Sequence, residues 1–208
     1  MKNIIKTALL LCIASMIFTV YGQDSRTTDE GVVINGIRWA TRNVDKPGTF
    51  TEKPEDAGMF YQWNRKVGWS STDPLGNSDG GTTWNDSEPE GESWRKENDP
   101  CPAGWRVPTH EELQSLADET YVAREWTTEN GIHGYRFTDK ATGNTLFLPA
   151  AGYYYNSSAL NYAGPDGYYW SSSVIGTNVY SLYFYSGAVD PNYYDYRAYG
   201  FSLRCVAE

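Results

Sequence analysis

The sequence predicts one domain that mixes two short helices with several short strands, on three observations. Asn35-Gly36 joins two apolar triplets, Val32-Val33-Ile34 and Ile37-Arg38-Trp39, and Asn-Gly tolerates the positive φ angles of a tight hairpin turn. Two segments, residues 54–66 and the stretch after Pro108, carry helical spacing or a helix start. Alternation of side chains marks strands in the last quarter. A chain of 208 residues is long enough to bury one full core, and no second domain is needed.

In chain order, residues 1–22 read as a secretory signal. Lys2 and Lys6 form its basic start, residues 8–20 an apolar run too short to span a bilayer, and Val20-Tyr21-Gly22 a small-residue cleavage site. Cys12 offers a lipid-anchor site in principle, but it lies inside the apolar run and not at its end. Cleavage removes two lysines and no acids, so the formal charge moves from -9 to -11. That disfavours nucleic acid, whose binding rests on phosphate neutralisation, and an anionic membrane surface. Residues 23–31 are polar and turn-rich, which predicts a flexible leader, and the domain proper covers residues 32–208.

Within residues 54–66, Ala57, Phe60, Tyr61 and Trp63 sit at near-helical spacing with Glu55 and Asp56 near the start, where acids suit a helix dipole. This predicts the first helix. Residues 68–98 are rich in Gly, Ser, Thr, Asp and Asn. A structureless loop of about 30 residues is unusual in a compact domain, so Trp69, Trp84 and Trp94 are expected to pin it to the core. The second helix has the clearest start in the chain. Thr109 is its N-cap, Glu112 closes a capping box, and Leu113, Leu116 and Ala117 form the buried stripe, with an end near Glu119. Turn clusters at 130–134 and 142–144 bound short strands at 135–138 and 145–148. In residues 179–185, Tyr180, Leu182 and Phe184 share one face, read as core, while Ser181, Tyr183 and Tyr185 share the other, read as surface. Phe201, Leu203 and Cys205 alternate in a final strand, and residues 186–199 between them form a loop or hairpin. With Cys12 removed, Cys101 and Cys205 remain in a chain bound for an oxidising compartment. A disulfide between them is the natural inference, with two buried free thiols as the competing reading.

Composition singles out residues 152–206. Thirteen of the 17 tyrosines fall there, interleaved with Asn, Ser, Asp and Gly, and the stretch holds no Lys, Glu, Gln or Met. Tyr offers a large amphipathic contact area with few torsions to freeze, and Ser, Asn and Gly supply adaptable hydrogen bonds, as in antibody paratopes. So much aromatic surface on turns and an outward face marks an interaction site. The missing types carry a second message. Codons ending in C or T cannot encode Lys, Glu, Gln, Met or Trp, and Trp170 is the sole exception in the stretch. Asn codons randomised at their adenines leave this bias behind; the competing reading is a tyrosine-rich β-surface with chance gaps.

Three motifs, Cys101-Pro102-Ala103-Gly104-Trp105-Arg106-Val107-Pro108-Thr109, Gly167-Tyr168-Tyr169-Trp170-Ser171-Ser172-Ser173 and Tyr199-Gly200-Phe201-Ser202-Leu203-Arg204-Cys205-Val206, jointly resemble the Fibrobacter succinogenes major paralogous domain family, common in secreted proteins of Bacteroidetes. The resemblance covers residues 32–206. It implies a C-type lectin-like fold of the formylglycine-generating-enzyme branch, α+β, with two short helices and a small twisted antiparallel sheet. The segment Asp190-Pro191-Asn192-Tyr193-Tyr194-Asp195-Tyr196-Arg197 resembles the variable run of diversity-generating retroelement proteins, whose C-terminal segment is rewritten by mutagenic reverse transcription. On that likeness Trp170, Phe201, Arg204 and Cys205 are fixed framework. Tyr154, Tyr155, Asn156, Tyr162, Asp166, Tyr168, Ser181, Tyr183, Tyr185, Asp190, Tyr193, Tyr194, Asp195, Tyr196 and Tyr199 face a ligand.

No catalytic or metal set assembles in the sequence. Trp84-Asn85-Asp86 is similar to the calcium-ligating Trp-Asn-Asp of true C-type lectins, but it precedes the Cys101 motif, and a surface turn is the better account. Asp86, Glu88, Glu90 and Glu92 lack the spacing of a calcium loop. His110 and His133 are the only histidines, without a nucleophile or zinc set around them. The fold's enzyme relatives depend on an active-site cysteine pair that Cys101 and Cys205 do not match; these two look like a structural bridge. The expectation is a secreted or surface-displayed binding protein for a protein ligand, with no enzymatic activity, no cofactor, no nucleic-acid partner and no transmembrane segment in the mature chain. The alternatives are a carbohydrate-binding lectin and a fimbrial or surface assembly subunit.

Overall fold

The structure is a computed structural model that describes residues 25–155 and 159–208. The secretory signal read at residues 1–22 and the candidate Asn156 lie outside the described residues. Among these the chain forms fifteen strands in four antiparallel sheets and one α-helix.

The Asn-Gly hairpin joins β1 (Val32–Ile34) to β2 (Ile37–Trp39), with Asn35 and Gly36 at φ 47° and 79°. Then follow β3 (Phe60–Gln62), β4 (Gly68–Trp69), β5 (Trp105–Arg106) and the helix α1 (His110–Ala117). A meander β6 (Val122–Glu129), β7 (Ile132–Asp139) and β8 (Thr145–Pro149) comes next. After β9 (Tyr153–Tyr154) and β10 (Leu160–Asn161) comes a second meander, β11 (Asp166–Ile175), β12 (Asn178–Tyr185) and β13 (Ala188–Asp195). The chain closes with β14 (Gly200–Phe201) and β15 (Val206–Ala207). The four sheets run β1-β2-β15-β5, β10-β9-β14-β3-β4, β11-β12-β13 and β6-β7-β8.

The expectation of an α+β domain with two helices is overturned: among the described residues the fold is β-rich with a single α-helix. The error lies in residues 54–66, where Phe60, Tyr61 and Gln62 form β3, paired with β14 on one side and β4 on the other. All three side chains are buried. A strand enclosed on both faces shows no period-two alternation, so its apolar run is indistinguishable from a buried helical turn. Gly58 holds φ +71°, outside helical space, and a Cβ there would lie 2.3 Å from the Val44 carbonyl oxygen.

The capping box at α1 is formed. The Thr109 hydroxyl accepts from the Glu112 amide at 3.3 Å, and the Glu112 carboxylate accepts from the Thr109 amide at 2.8 Å. Glu112 also takes a two-pronged ion pair from Arg106. The helix ends at Ala117, with Asp118 as C-cap, one turn's fraction before the expected Glu119.

The second meander is sandwiched between two cores. On one face Tyr169, Leu182 and Phe184 join Leu113 and Leu116 of α1 and Phe137 and Leu148 of the first meander. On the other, Tyr168, Trp170 and Val179 join Trp63, Trp94, Trp105, Phe201 and Cys205. Trp69 and Trp84 pack with Tyr154 and Phe60 in a third cluster, so all three tryptophans of residues 68–98 are buried. Cys101 and Cys205 form a disulfide with sulfurs 2.07 Å apart and Cα atoms 6.2 Å apart. Beside it, every residue from Phe201 to Val206 is buried and residues 203–205 lie between β14 and β15, so the alternating final strand expected at Phe201, Leu203 and Cys205 is not formed: these residues are enclosed on all sides. The Arg204 guanidinium is satisfied internally, donating to the Asn43 side chain at 2.9 Å and the Thr41 carbonyl at 2.7 Å. The polar stretch read as a leader makes contacts of its own. Asp29 pairs with Arg42 at 3.1 Å and accepts from the Thr41 hydroxyl at 2.8 Å.

Candidate functional site: a tyrosine patch over the second meander

Strand geometry decides which tyrosines gather. Successive side chains on a strand point to opposite faces, so the neighbours Tyr168 and Tyr169 divide between the two cores. Tyr183, on the same face of β12 as Val179 and opposite Tyr168 in register, continues the Tyr168 side. In β13 a bulge sets Pro191 and Asn192 against the single residue Leu182, since Tyr183 pairs with Asp190 and Ser181 with Tyr193. The extra residue restores the phase, bringing Asp190, Tyr193 and Asp195 all to the Tyr183 side. Proline is tolerated there because a bulge leaves its position out of the ladder.

The result is a continuous aromatic layer. Ring centroids are 4.8 Å apart for Tyr168–Tyr183 and for Tyr183–Tyr193, and 4.7 Å for Tyr153–Tyr168. Tyr185 extends it at 5.8 Å from Tyr183. Tyr153 links it to Tyr162 at 6.2 Å and to Tyr199 at 6.0 Å, and Tyr199 in turn to Tyr155 at 4.9 Å and Tyr196 at 5.5 Å. Phe201 is the floor, 5.0 Å from Tyr168 and stacked on Trp170 at 4.0 Å. Trp170 is fixed from below by an indole N–H bond of 2.7 Å to the Tyr61 carbonyl. At the rim Tyr155, Tyr162, Tyr185 and Tyr196 are between 42% and 60% exposed.

Carboxylates are set into this layer. The Tyr168 and Tyr183 hydroxyls both donate to one oxygen of Asp166, at 3.4 Å each. Asp195 accepts from the Tyr196 amide at 3.2 Å, and Asp190 from the Asn192 amide at 2.9 Å. Burial raises the Asp166 carboxyl above the usual range, against the two tyrosine hydrogen bonds, and pushes Asp195 up to about 6. The phenols of Tyr153, Tyr183 and Tyr193 are raised, first by burial and then by the neighbouring carboxylates. At neutral pH the phenols of Tyr153, Tyr183 and Tyr193 are therefore un-ionised, and they present ring faces and neutral hydroxyls.

The sequence-predicted residues divide. Tyr155, Tyr162, Asp166, Tyr168, Tyr183, Tyr185, Asp190, Tyr193, Asp195, Tyr196 and Tyr199 belong to the patch or its rim. Tyr154 is buried, its ring 5.2 Å from Phe60 and its hydroxyl on the Ser70 carbonyl at 3.0 Å. Ser181 is fully buried beneath the patch, in register between Trp170 and Tyr193, and its hydroxyl has no hydrogen-bond partner. Tyr194 is exposed but lies on the opposite face of β13 from Tyr193, paired with Tyr180. Tyr180, read as core, is half-buried and stacks on His110 at 3.7 Å. Asn192 reaches the same helix, accepting from Gln114 at 2.7 Å and lying 3.1 Å from the His110 ring. Tyr153 sits at the centre of the patch, where the sequence points instead to its buried neighbour Tyr154. The signal for it is the alternation of residues 153–155, with Tyr153 and Tyr155 on one side and Tyr154 in the core.

Away from the patch, Asp86, Glu88, Glu90 and Glu92 are all exposed. Asn85 caps its own turn, accepting from the Ser87 amide at 3.0 Å and hydroxyl at 2.7 Å. Among the described residues no group of three His, Cys, Asp or Glu side chains is placed to hold a metal ion, and no helix is long and apolar enough to cross a membrane.

Residues 23–207 match the model of the Fibrobacter succinogenes major domain. No curated protein and no solved structure matches the chain. The match spans nearly the whole chain, and the chain belongs to that family.

Proposed function

We propose that this member of the Fibrobacter succinogenes major domain family is a secreted or surface-displayed binding protein, not an enzyme, which engages a protein ligand through its tyrosine patch. The observation that carries this reading is the unbroken layer of tyrosine rings from Tyr185 to Tyr155, seated on Phe201 and Trp170 and open at its rim. Aromatic rings on a rigid floor present contact area with little entropy left to lose, which is how binding hot spots are built. We further propose that the gene belongs to the diversified subset of the family, with the patch rewritten between lineages on a constant framework. The absence of Lys, Glu, Gln and Met from residues 152–206 supports it.

Two experiments test these statements. The codons of residues 152–206 are read, and the segment is sequenced from many cells of the source population. Pyrimidine-ending codons and variants clustered on the patch, with Trp170 and Phe201 constant, are expected; scattered variation or none would remove diversification. Separately, the mature protein is panned for binders with and without chelator and simple monosaccharides. Binding that survives both, and is lost on Tyr183→Ala, is expected. Loss to chelator and sugar would favour a lectin, and self-association through Tyr183, Tyr185 and Tyr193 would favour an assembly subunit.

A further inference from the structure

The patch is not only aromatic; it is negatively charged without internal compensation. Asp166, Asp190 and Asp195 face it, and among the described residues none of the three takes part in an ion pair. Residues 152–206 contain two basic side chains, Arg197 and Arg204, and both are committed elsewhere. Arg197 donates to the carbonyls of Thr177, Pro89 and Gly91 at 3.0, 3.1 and 2.8 Å, with its guanidinium 4.7 Å from the Trp63 ring. Arg204 is buried under the sheet on the Asn43 side chain and the Thr41 carbonyl. Asp166 holds the hydroxyls of Tyr168 and Tyr183, whose rings lie 4.7 Å from Tyr153 and 4.8 Å from Tyr193 respectively, and Asp195 shares the Tyr193 face of β13.

Half-buried carboxylates beside ring faces suit one kind of guest. A cation within about 6 Å of a ring centroid is drawn by its quadrupole, and the more so where water is partly excluded. A carboxylate in the same place adds charge-assisted hydrogen bonds. An anionic or purely apolar guest would instead desolvate Asp166 and Asp195 further without supplying a counter-charge, which is costly. We propose that the tyrosine patch is selective for a protein segment that presents a lysine or arginine side chain, its cation seated against Tyr153, Tyr183 and Tyr193 and paired with Asp166 and Asp195. The proposal rests on the reading of the patch as a protein-binding surface and names what that surface selects. A second copy of the chain is a poor occupant, since two molecules each of formal charge -9 over the full chain, or -11 without Lys2 and Lys6, repel.

The test uses the mature protein, residues 23–208, and a phage-displayed library of random twelve-residue peptides, with elution and counter-selection on Tyr183→Ala. Peptides that bind the patch, defined by loss on Tyr183→Ala, are expected to be enriched in Lys or Arg at one shared position. Changing that residue to Gln should weaken binding roughly 10- to 100-fold, as expected for hydrogen bonds to charged groups. The double variant Asp166→Asn, Asp195→Asn should lose the preference while retaining the near-ultraviolet circular dichroism of the wild type. Should that variant fail to fold, the wild type still decides. Binding of the basic peptides should weaken with added salt, and binding of their Gln counterparts should not. Patch-binding peptides without a shared basic residue would overturn the charge selectivity and leave the protein-binding reading standing. A library yielding no binder sensitive to Tyr183→Ala would remove both.

Discussion

Tyr168 and Tyr169 are neighbours in β11, yet they belong to different parts of the molecule. Tyr169 is part of the framework. Its ring lies 5.9 Å from Phe184, its hydroxyl donates to the Pro149 carbonyl at 2.8 Å and meets the Asn43 amide at 3.3 Å, and burial pushes its phenol up to about 12. Tyr168 lies under the patch with its hydroxyl on Asp166. Tyr154 and Tyr153 repeat the contrast in β9. One residue type thus serves as both scaffold and contact surface, and what separates the two roles is strand parity. A framework tyrosine has its hydroxyl matched to a fixed backbone acceptor. In the patch, Tyr168 and Tyr183 share their hydroxyls with a carboxylate that a ligand can also use.

The sharpest way to break this division is to remove the floor. Trp170→Ala should cost about 3–5 kcal/mol of stability, the range for deleting a large buried aromatic, read by urea denaturation. Tyr183→Ala should cost far less stability while abolishing binding. Equal destabilisation by the two would mean that the patch is part of the core. Removing the Cys101–Cys205 bridge by replacing both residues with Ala should cost about 2–5 kcal/mol. Ligand affinity, measured at a temperature where the variant remains folded, should be nearly unchanged, because the bridge joins framework to framework.

Finer still is Tyr169→Phe, which removes the hydroxyl bond to the Pro149 carbonyl but leaves that carbonyl its bond from the Ala151 amide at 2.9 Å, and should cost about 0.5–1.5 kcal/mol. Tyr183→Phe should alter stability little and binding measurably. Asp195 gives a smaller effect with a defined pH signature. Its folded pKa of about 6 lies above the unfolded value, so the folded state holds the proton more tightly. The associated stability is fully present below about pH 4 and is lost as the pH rises through 6. Asp195→Asn should therefore match the wild type at pH 3 and exceed it at pH 7 by about 1 kcal/mol, after allowance for the group's partial exposure. A difference independent of pH would show that Asp195 is not held in the desolvated setting described. The smallest effect belongs to Ser181. Its hydroxyl is buried without a partner, so Ser181→Ala should be neutral or slightly stabilising, within about 1 kcal/mol. Ser181→Tyr should overpack the gap between Trp170 and Tyr193. If the segment is diversified, natural variants should hold only small residues there.

Much of this was legible in the sequence where a local signal and the tertiary environment agree. The Asn35-Gly36 hairpin and the Thr109–Glu112 capping box are fixed by backbone chemistry within four residues, and both formed as read. The cysteine pair formed its bridge. The crowding of tyrosines into residues 152–206 is a matter of composition and needs no coordinates. Local pattern could not reveal that β3 is enclosed by strands from two distant parts of the chain, so its burial on both faces imitated a helix. Nor could it fix which of two adjacent tyrosines faces the patch, because parity is set by partner strands. The bulge at Pro191–Asn192 resets that parity within β13, bringing Asp190 and Tyr193 to one side and sending Tyr194 to the other. Composition and the cysteine pair alone specify a tyrosine-rich segment on a bridged framework. Which rings meet, and which carboxylates lie among them, is set by strand pairing, because a strand has two faces and its partners choose between them.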